Sequence, residues 1–465
     1  MSPLNLNREK MPSQEPLVRA RNFEEVNLGL SPEQARREAE RCLLCKKPTC
    51  VTGCPVHINI PHFIQAILEN HEDEAVRRIR TDNSLPAICG RVCPQETQCE
   101  EACVLNKKGA PVAIGALERY VGDYAIRACV LPDMSRVVSQ NKKIAVVGSG
   151  PSGLTCAGEL VKLGYQVTVF EALHELGGVL AYGIPEFRLP KEMIVRCEID
   201  TLRHMGVEFI TNAVIGKLNT VPELLAAGFA AVYVATGAGY PSFMNIPGED
   251  LNYVYSANEF LTRVNLMQAF KGEASATPLV VGKRVAVIGG GNTALDAARS
   301  ALRLGAEKVF LVYRRSEAEM PGRLEEIHHA QEEGIDFQLL TLPLEYLGKE
   351  DGSVRAMRCV RMELGEPDAS GRRKPVPIAD SEFEFQIDSA VVAIGTQANP
   401  IIAQTTPGLQ TNPRGYIVAN ESGETSLPRV YAGGDIVSGA ATVILAMGAG
   451  RHAAQKIHAA LSGEI

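Results

Sequence analysis

The spacing of hydrophobic positions changes near residue 143, and this change divides the chain into two kinds of structure. Before it, apolar residues recur at helical spacing between short loops, as at Phe63, Ile64 and Ile67. After it, short apolar strands alternate with glycine turns and Ala/Leu-rich helices. The sequence therefore predicts a helical segment up to about Ala128, followed by parallel α/β units.

The helical segment carries local signals for where a helix begins. Ser31 is an N-cap residue, Pro32 fits the first helical position, and Gln34 is placed to complete a capping box. A helix is therefore predicted to start at Ser31 and to lead toward Cys42.

Two stretches of the α/β part repeat one pattern. Residues 143–172 run from a strand through a glycine loop into a helix that stops at Gly164, and they end in a second strand. Residues 284–315 follow the same course, with the helix stopping at Gly305. Two such units predict two bound nucleotides, and the Gly282-Lys283 turn predicts a junction before the second unit.

Composition and charge exclude several classes of function. The 465 residues are 45% apolar and 22% charged, which is typical of two or three compact domains. The 47 basic and 54 acidic residues give a net charge of -7, which does not favour nucleic acid. No apolar run reaches the roughly 18 residues that cross a bilayer, and the start of the chain is too polar for a signal peptide. We expect a cytoplasmic protein that binds neither nucleic acid nor membrane.

Nine of the twelve cysteines lie between Cys42 and Cys129. Without a secretory signal, such clustering favours metal ligation over disulfides. The spacings are typical of iron–sulfur ligands. They read Cys42-x2-Cys45-x4-Cys50-x3-Cys54-Pro55 and Cys93-Pro94-x4-Cys99-x3-Cys103.

These cysteines predict two clusters that share ligands between the two motifs. One cluster would take three cysteines of the first motif and a distant partner, and the other would take the remaining cysteine with ligands from the second motif. Seven cysteines fill seven of eight positions, and by number alone Cys89 could be the eighth. Two zinc sites are the alternative, although only Cys42 and Cys45 form the C-x2-C pair typical of zinc.

The first glycine loop has the context of a dinucleotide fingerprint. It follows a strand, opens a helix, and is followed by Glu171 at the end of the next strand. The glycines allow close approach of a pyrophosphate, and the carboxylate can accept hydrogen bonds from the adenosine ribose. Gly434 and Asp435 follow a later strand and suit the ribityl and phosphate end of a flavin. The loop itself reads Gly148-Ser149-Gly150-Pro151-Ser152-Gly153.

The second glycine loop predicts NADP rather than NAD. Where an acidic residue would follow the second strand, the chain has Arg314 and Arg315, which could bind a 2'-phosphate. The alternative interpretation is that both arginines are simply solvated. Arg323, in the following loop, is a candidate for a further contact with the 2'-phosphate. The loop reads Gly289-Gly290-Gly291-Asn292-Thr293-Ala294.

Thiol–disulfide exchange is not expected. Cys156, Cys197 and Cys359 stand alone rather than in a C-x-x-C pair, and they are predicted to be buried apolar residues. The His328-His329 pair lies in a charged helical stretch and is predicted to be solvated.

Several motifs along the chain together carry a family resemblance. They are Cys42-Leu43-Leu44-Cys45, Gly53-Cys54-Pro55-Val56, Leu85 to Pro94, Cys99-Glu100-x2-Cys103, Pro185 to Pro190, Arg314-Arg315-Ser316 and Ala441 to Gly448. In these motifs, and over nearly the whole chain, the sequence resembles the small subunit of NADPH-dependent glutamate synthase. The same module occurs in NADP-binding subunits of electron-bifurcating ferredoxin:NADP transhydrogenases and in the N-terminal part of dihydropyrimidine dehydrogenase.

The resemblance implies an α/β fold with an N-terminal α-helical iron–sulfur domain at residues 1–128. It also implies a Rossmann-like FAD domain at 129–245 and 396–465, with a Rossmann-like NADP(H) domain at 246–395 inserted in it. Cys89 then becomes structural. The implied ligands of the two 4Fe-4S clusters are Cys42, Cys45, Cys50 and Cys103 for one, and Cys54, Cys93, Cys99 and Glu118 for the other.

The resemblance also implies the nucleotide-binding residues. Those for FAD are Gly148 to Ser152, Glu171, Gly178, Arg188, Val214, Asp435 and Thr442. Those for NADP are Gly290 to Thr293, Arg314 and Arg315, with Ala393, Ile394 and Gly395 at the crossing between the domains. One departure is that an arginine which helps to hold the 2'-phosphate in dihydropyrimidine dehydrogenase falls opposite Pro321 here.

The implied activity is an electron relay from NADPH through FAD and the two clusters to a partner subunit. The first candidate partner is the large subunit of glutamate synthase, and the second is a ferredoxin- or NAD-linked flavoprotein subunit of a transhydrogenase. A homo-oligomer that works with ammonia or a carrier is a further alternative, as is a cofactor-bearing docking or sensing subunit. Electron transfer needs no general acid, base or nucleophile, so no catalytic residue is predicted.

Overall fold

A computed structural model describes residues 5–275, 277, 279–368 and 371–463. In that part of the chain, no helix is both long and apolar enough to cross a membrane. The helices are α1 (Pro16–Arg19), α2 (Pro32–Ala39), α3 (Thr49–Thr52), α4 (Ile60–Leu68), α5 (Glu72–Asp82), α6 (Pro86–Val92), α7 (Ile114–Arg127), α8 (Pro151–Lys162), α9 (Val179–Tyr182), α10 (Cys197–His204), α11 (Val221–Ala226), α12 (Ala257–Asn265), α13 (Asn292–Arg303), α14 (Leu324–Glu332), α15 (Ile401–Thr405), α16 (Asp435–Ser438) and α17 (Val443–Ser462). The strands are β1 (Lys143–Val147), β2 (Gln166–Phe170), β3 (Glu208–Ile210), β4 (Phe229–Val234), β5 (Tyr240–Pro241), β6 (Val254–Ser256), β7 (Arg284–Ile288), β8 (Lys308–Tyr313), β9 (Asp336–Leu339), β10 (Thr341–Gly348), β11 (Val354–Pro367), β12 (Arg373–Pro377), β13 (Phe383–Gln386), β14 (Ser389–Val392), β15 (Thr396–Gln397) and β16 (Val430–Ala432).

The first segment is helical, as predicted. The predicted capping box is present, because Ser31 Oγ accepts from the Gln34 N–H at 3.2 Å and Gln34 Oε1 accepts from the Ser31 N–H at 3.0 Å. Further along, α6 and α7 pack so closely that a Cβ on Gly90 would lie 2.4 Å from the backbone nitrogen of Arg119. This close approach brings Glu118 of α7 within electrostatic reach of Cys89 on α6.

The two glycine-loop units form two five-stranded parallel sheets. The first has the order β3-β2-β1-β4-β16 and the second has the order β9-β8-β7-β14-β6. The strands predicted on either side of each glycine loop are confirmed. Because β16 joins the first sheet after the chain has completed the second, the second unit is inserted in the first. The two chain crossings lie side by side, since β5 pairs antiparallel with β15.

Residues 341–386 do not continue the parallel α/β pattern that the sequence suggested. They form an antiparallel sheet in which β11 pairs with β10, β12 and β13. Its buried face covers the second parallel sheet, where Val354, Met357 and Cys359 belong to the same apolar cluster as Ile288 and Val312. Cys359 is buried for this reason.

Two other side-chain predictions need correction. His329 is buried rather than solvated, because α14 packs on α13, and burial lowers its pKa, whereas His328 is exposed as predicted. Cys156 is buried as predicted, but Cys197 is only partly buried at the start of α10.

Buried ion pairs join the N-terminal segment to the helices of the second sheet. The carboxylate of Glu333 accepts from Arg19 at 3.0 Å, from Arg299 at 2.7 Å and from Arg303 at 2.7 Å. Burial alone would raise the pKa of Glu333, but the hydrogen bonds from Arg303 and Arg299 lower it to about 2. The ring of Phe187 lies under the same two arginines, with their guanidinium carbons 4.0 and 4.7 Å from its centroid.

Replacing Glu333 with Gln should lower the free energy of unfolding at neutral pH by about 3–5 kcal/mol, because the buried guanidinium groups lose their anion. The folded-state pKa of Glu333 is lowered to about 2 from an ordinary value of 4.5. The stabilising contribution of the Glu333 carboxylate to the free energy of unfolding is therefore complete above about pH 4.5 and is lost as the pH falls toward 2. Denaturant unfolding across this range should show that the Glu333→Gln protein lacks this part of the acid dependence.

The matched control is Glu192→Gln, which removes an exposed ion pair with Arg196. That substitution should cost less than about 1 kcal/mol. Equal losses in the two variants would contradict the structural role of the Glu333 cluster.

Candidate functional site

Four cysteines line one pocket of the helical segment: two from the loop between α2 and α3, one from α3 and one from the loop between α6 and α7. Three of them are partly exposed and the fourth, Cys103, is buried. We call these residues the outer thiol group. Its members are Cys42, Cys45, Cys50 and Cys103.

The outer thiol group has the electrostatics of a ligand set. Burial raises the pKa of Cys50 to about 12, and the charges of Cys42 and Cys103 add to this effect. Burial raises the pKa of Cys42, and a hydrogen bond from the backbone N–H of Leu44, which has a φ of 45°, partly opposes this shift. Thiols crowded in this way ionise together only when a positively charged group binds them. The residues therefore fit an iron–sulfur cluster.

Three further cysteines and one carboxyl form a second, more deeply buried set, which we call the inner group. Burial raises the pKa of both Cys54 and Cys99, and the charge of Glu118 raises it further, so the carboxyl lies near these thiols. Its members are Cys54, Cys93, Cys99 and Glu118.

Glu118 lacks the partner that a buried carboxylate normally has. Burial raises its pKa to about 8, and its Oε1 accepts from the Asn83 amide at 2.7 Å. Among the described residues, no cationic side chain pairs with it. With a pKa of about 8, this carboxyl is mostly protonated at neutral pH, and a positively charged metal group bound beside it would stabilise the carboxylate form.

Cys89 lies next to the inner group rather than apart from it. It is fully buried, with its sulfur 3.3 Å from the Met447 sulfur and 3.8 Å from Asn83 Oδ1. A hydrogen bond with Cys93, together with burial, raises its pKa. Both Glu118 and Cys89 are therefore near enough to compete as the eighth ligand.

Within residues 5–463, apart from the few positions not described, no three His, Cys, Asp or Glu side chains are grouped as ligands of a single metal ion. In a 4Fe-4S cluster each iron takes its own protein ligand.

The first glycine loop forms an open cradle at the carboxyl end of β1, the central strand of the first sheet. An added Cβ on Gly150 would meet nothing within 4 Å, so the loop faces open space there. Gly178 (φ 55°) and Gly434 (φ 75°) approach this loop, and an added Cβ on either would lie 2.9 Å from Gly150 Cα or Ser152 Cβ respectively. The structure therefore brings together the predicted glycines of residues 148–153, 178 and 434.

Glu171 lies at the rim of this cradle, directly after β2. Its Oε2 accepts from the Ser149 N–H at 2.9 Å and from Ser149 Oγ at 2.5 Å, and these bonds fix the loop. Its backbone carbonyl accepts from Ala213 at 2.8 Å, which brings the exposed Val214 to the same rim. The rim position suits the predicted contact with an adenosine ribose.

The opposite side of the cradle is made by the last two helices. Asp435 begins α16, and Thr442 caps α17 by accepting from the Leu445 N–H at 3.4 Å. Burial raises the pKa of Asp435 to about 6, and burial together with the charges of Asp435 and Glu171 raises that of Tyr182 to about 12. The positive N-terminal end of α17, a 20-residue helix, suits a phosphate.

Arg188, which the resemblance implied as a flavin-binding residue, pairs with two carboxylates of the second unit. Its Nη1 donates to both carboxylate oxygens of Asp296 at 2.7 Å, and its Nε lies 3.1 Å from Glu326. Asp296 lies on α13 and Glu326 on α14. The guanidinium of Arg188 therefore links the first unit to the second.

The second glycine loop lies between β7 and α13, beside the carboxyl end of β14. The Ala393 N–H donates to the Ile288 carbonyl at 2.8 Å, and Ile394 and Thr293 are exposed. Ligands of open parallel sheets bind beyond the carboxyl ends of the strands. The residues brought together there are Gly290, Gly291, Asn292, Thr293, Ala393, Ile394 and Gly395.

The predicted arginines have separate surroundings. Arg314 is exposed at the end of β8, but Arg315 is buried and donates to Asp368 at 2.6 Å and to the Arg373 carbonyl at 2.8 Å. Arg323 lies in the loop before α14 and is buried. It is drawn to the helical segment, where it donates to the carbonyl of Arg91 at 3.0 Å.

Sequence reasoning missed two polar groups of the site, Asn83 and Tyr182. Tyr182 could have been suspected, because it stands between the matched Gly178 and Arg188. Asn83 carries no such signal, since its role comes from the packing of α7 against the end of α5.

The parts of the site follow one another in space. The helix α17 starts at the cradle with Thr442 and reaches Cys89 through Met447. An added Cβ on Gly448 would lie 3.1 Å from the Pro55 carbonyl, directly after Cys54. The order is therefore cradle, inner group, outer thiol group and solvent.

Comparisons with known proteins agree with this architecture. The family model for dihydropyrimidine dehydrogenase domain II, 4Fe-4S cluster, matches residues 19–130. The model for NAD(P)-binding Rossmann-like domains matches residues 146–203, and that for pyridine nucleotide-disulphide oxidoreductases matches residues 223–453. The fold also resembles Mycobacterium tuberculosis FprA in complex with NADPH, with a TM-score of 0.60 and 24% identity over 69% of this chain and 85% of that chain.

Two relatives show how far the similarity extends. The glutamate synthase [NADPH] small chain of Escherichia coli (strain K12) is 38% identical over 453 residues, which is 96% of both chains. The NADP(+)-dependent formate dehydrogenase subunit beta of Moorella thermoacetica is 38% identical over 432 residues, which is 88% of this chain and 59% of that protein. The chain belongs to the family of the NADPH-dependent glutamate synthase small subunit, and it is an oxidoreductase that uses FAD, NADP(H) and 4Fe-4S clusters as cofactors.

Proposed function

We propose that the chain takes electrons from NADPH and delivers them to a partner redox subunit, as the small subunit of a glutamate synthase. The observation that carries this proposal is the spatial order of cradle, inner group, outer thiol group and solvent. Such an order gives electrons a continuous way from a buried flavin to the surface.

A bound flavin would supply the conversion between two-electron hydride chemistry and single electrons. The residues of the chain bind and orient the cofactors. Gly148 to Ser152 would hold the FAD pyrophosphate, Gly290 to Thr293 would hold that of NADP(H), and Arg314 would pair with the 2'-phosphate. The outer thiol group and the inner group would each hold one 4Fe-4S cluster. No side chain has to transfer a proton for this function.

The ion pair between Arg188 and Asp296 has a positioning role in this proposal. It joins the loop after the cradle to α13, the helix that the second glycine loop caps. A buried guanidinium that donates to both oxygens of one carboxylate fixes the two elements relative to each other. Hydride transfer requires the nicotinamide and the flavin to be held in a fixed relative position.

The glutamate synthase role is preferred because the E. coli small chain matches end to end, over 96% of both sequences. The alternative is an NADP-handling subunit of a ferredoxin- or NAD-linked transhydrogenase. The similarity to the formate dehydrogenase subunit beta supports this alternative, because there the same module forms part of a longer subunit of another enzyme.

Anaerobic purification of the untagged protein from its host, followed by NADPH titration, tests the proposal. We expect bleaching of a flavin spectrum by NADPH and recovery with a very large amidotransferase-type chain. Recovery with ferredoxin- or NAD-linked flavoprotein subunits would favour the transhydrogenase role. A flavin that NADPH does not reduce would contradict electron relay and favour a docking or sensing subunit.

The eighth cluster ligand can be tested by two substitutions. Glu118→Ala should remove one cluster, because it deletes the oxygen donor of the inner group, whereas Cys89→Ala should keep both. Iron and acid-labile sulfide analysis, with electron paramagnetic resonance of the reduced protein, measures this. Loss of a cluster in Cys89→Ala with two clusters in Glu118→Ala would reverse the assignment.

The 2'-phosphate contact can be tested at Arg314. Arg314→Ala should weaken NADPH binding by roughly tenfold and NADH binding little, because one ion pair to a phosphate is worth about 1–2 kcal/mol. Isothermal titration with both nucleotides measures the difference. Arg414→Ala, at another exposed arginine, is the control and should change neither affinity. Equal losses for NADPH and NADH in Arg314→Ala would contradict the contact.

A further inference from the structure

The two arginines that follow β8 have different surroundings, although they are neighbours in the chain. Arg314 is exposed, whereas the side chain of Arg315 is only 6% exposed. In a glycine-loop unit, the residues directly after the second strand lie beside the adenosine ribose of the bound nucleotide. Both arginines therefore belong to the end of the unit that distinguishes a ribose from a ribose 2'-phosphate, but only Arg314 is open to solvent.

Arg315 already has an anionic partner within the protein. Its Nη2 donates to Asp368 Oδ2 at 2.6 Å, and its Nε donates to the Arg373 carbonyl at 2.8 Å. Both acceptors belong to the hairpin of β11 and β12, and Asp368 lies 53 residues after Arg315 in the chain. Among the described residues, no group accepts from Nη1 of Arg315. The guanidinium can therefore donate to an added anion.

The position of Asp368 allows its carboxylate to leave the ion pair. The residue lies in a tight turn, where its N–H donates to the Arg372 carbonyl at 2.7 Å and its carbonyl accepts from the Gly371 N–H at 2.8 Å. Its side chain is 31% exposed, so a change of side-chain torsion takes the carboxylate into water while the backbone turn stays in place.

This exposure distinguishes the pair from the structural ion pairs of the same unit. In the Arg299–Glu333 pair, both side chains are fully buried. In the Arg315–Asp368 pair, the cation is buried and the anion is not. The arginine is therefore fixed, and its anion is the exchangeable member.

A buried guanidinium needs an anion in every state of the site, because an unpaired buried charge is costly. Asp368 meets this need when the site is empty or holds a nucleotide without a 2'-phosphate. A 2'-phosphate brings a larger negative charge and three acceptor oxygens, and it repels a carboxylate placed beside it. The phosphate and Asp368 therefore compete for Arg315.

We propose that Asp368 is a specificity-determining residue that acts through Arg315, as the internal counter-ion that the 2'-phosphate of NADP(H) displaces. In the bound state, Arg315 joins Arg314 at the phosphate and Asp368 turns to solvent. The loss of the Arg315–Asp368 pair offsets part of the binding free energy of the phosphate, so Asp368 weakens the preference for NADP(H) over NAD(H). The inference rests on the NADP(H) site of the proposed function and adds a residue that sets its selectivity.

The substitution Asp368→Asn tests this inference, because asparagine keeps the size and one oxygen acceptor of aspartate but removes its charge. Isothermal titration of the purified, cofactor-loaded protein with adenosine 2',5'-bisphosphate and with 5'-AMP measures the 2'-phosphate contact without turnover. We expect roughly threefold to tenfold tighter binding of the bisphosphate, as for the removal of one competing ion pair, and unchanged binding of 5'-AMP.

Two further variants separate competition from a change of fold or of overall charge. Asp380→Asn removes the same charge from the exposed turn after β12 and should change neither affinity. In a protein that also carries Arg315→Gln, Asp368→Asn should no longer tighten binding, because the arginine through which it acts is absent. A merely structural role of Asp368 would not produce this dependence on Arg315.

The outcomes separate this inference from the proposed function. The inference is overturned by unchanged or weaker binding of the bisphosphate in Asp368→Asn, by equal changes for both nucleotides, or by a gain that persists with Arg315→Gln. The proposed function stands in these cases if NADPH reduces the flavin. If NADPH does not reduce the flavin of the unchanged protein, the electron relay fails, whereas a selective gain in bisphosphate binding still supports the role of Asp368.

Discussion

The crowding of anionic ligands in a buried environment is the constraint on which this structure depends. Burial raises the pKa of Cys50 to about 12 and that of Glu118 to about 8, and the charges of Cys42 and Cys103 raise that of Cys50 further. Only a bound positive group makes such a set stable. The close approach of α6 and α7, the left-handed turn at Leu44 and the contact of α17 with Cys89 all serve to hold these donors in place.

Buried ion pairs solve the related problem of fixing three chain segments relative to one another. Glu333 gathers three arginines from the N-terminal segment and α13, and Arg188 joins the first unit to α13. Arg323 reaches from the second unit into the helical segment. Such pairs add little net stability when they are complete, but breaking one is costly, so they favour one arrangement over others. An electron path through several cofactors needs this kind of fixed arrangement.

Much of the fold could be predicted because its signals are local. The capping box at Ser31 and the strand–glycine–helix units are written in consecutive residues, and the structure contains them. The antiparallel sheet at 341–386 was missed because its pairing joins distant residues. The partners of Arg315 and the burial of His329 were missed for the same reason, since they arise from packing between elements. The grouping of cysteines into two sets came from the family resemblance, and sequence spacing alone left Cys89 open.

Mössbauer spectroscopy of the 57Fe-enriched protein, isolated without oxygen and then reduced with NADPH, tests the central claim most directly. The account predicts two distinct 4Fe-4S clusters per chain, with one of them showing an iron site altered by an oxygen ligand from Glu118. It also predicts that NADPH changes the spectrum of at least one cluster. A single cluster, isolated iron ions, or clusters that do not respond to NADPH in a protein whose flavin is reduced would contradict a relay through the inner group and the outer thiol group.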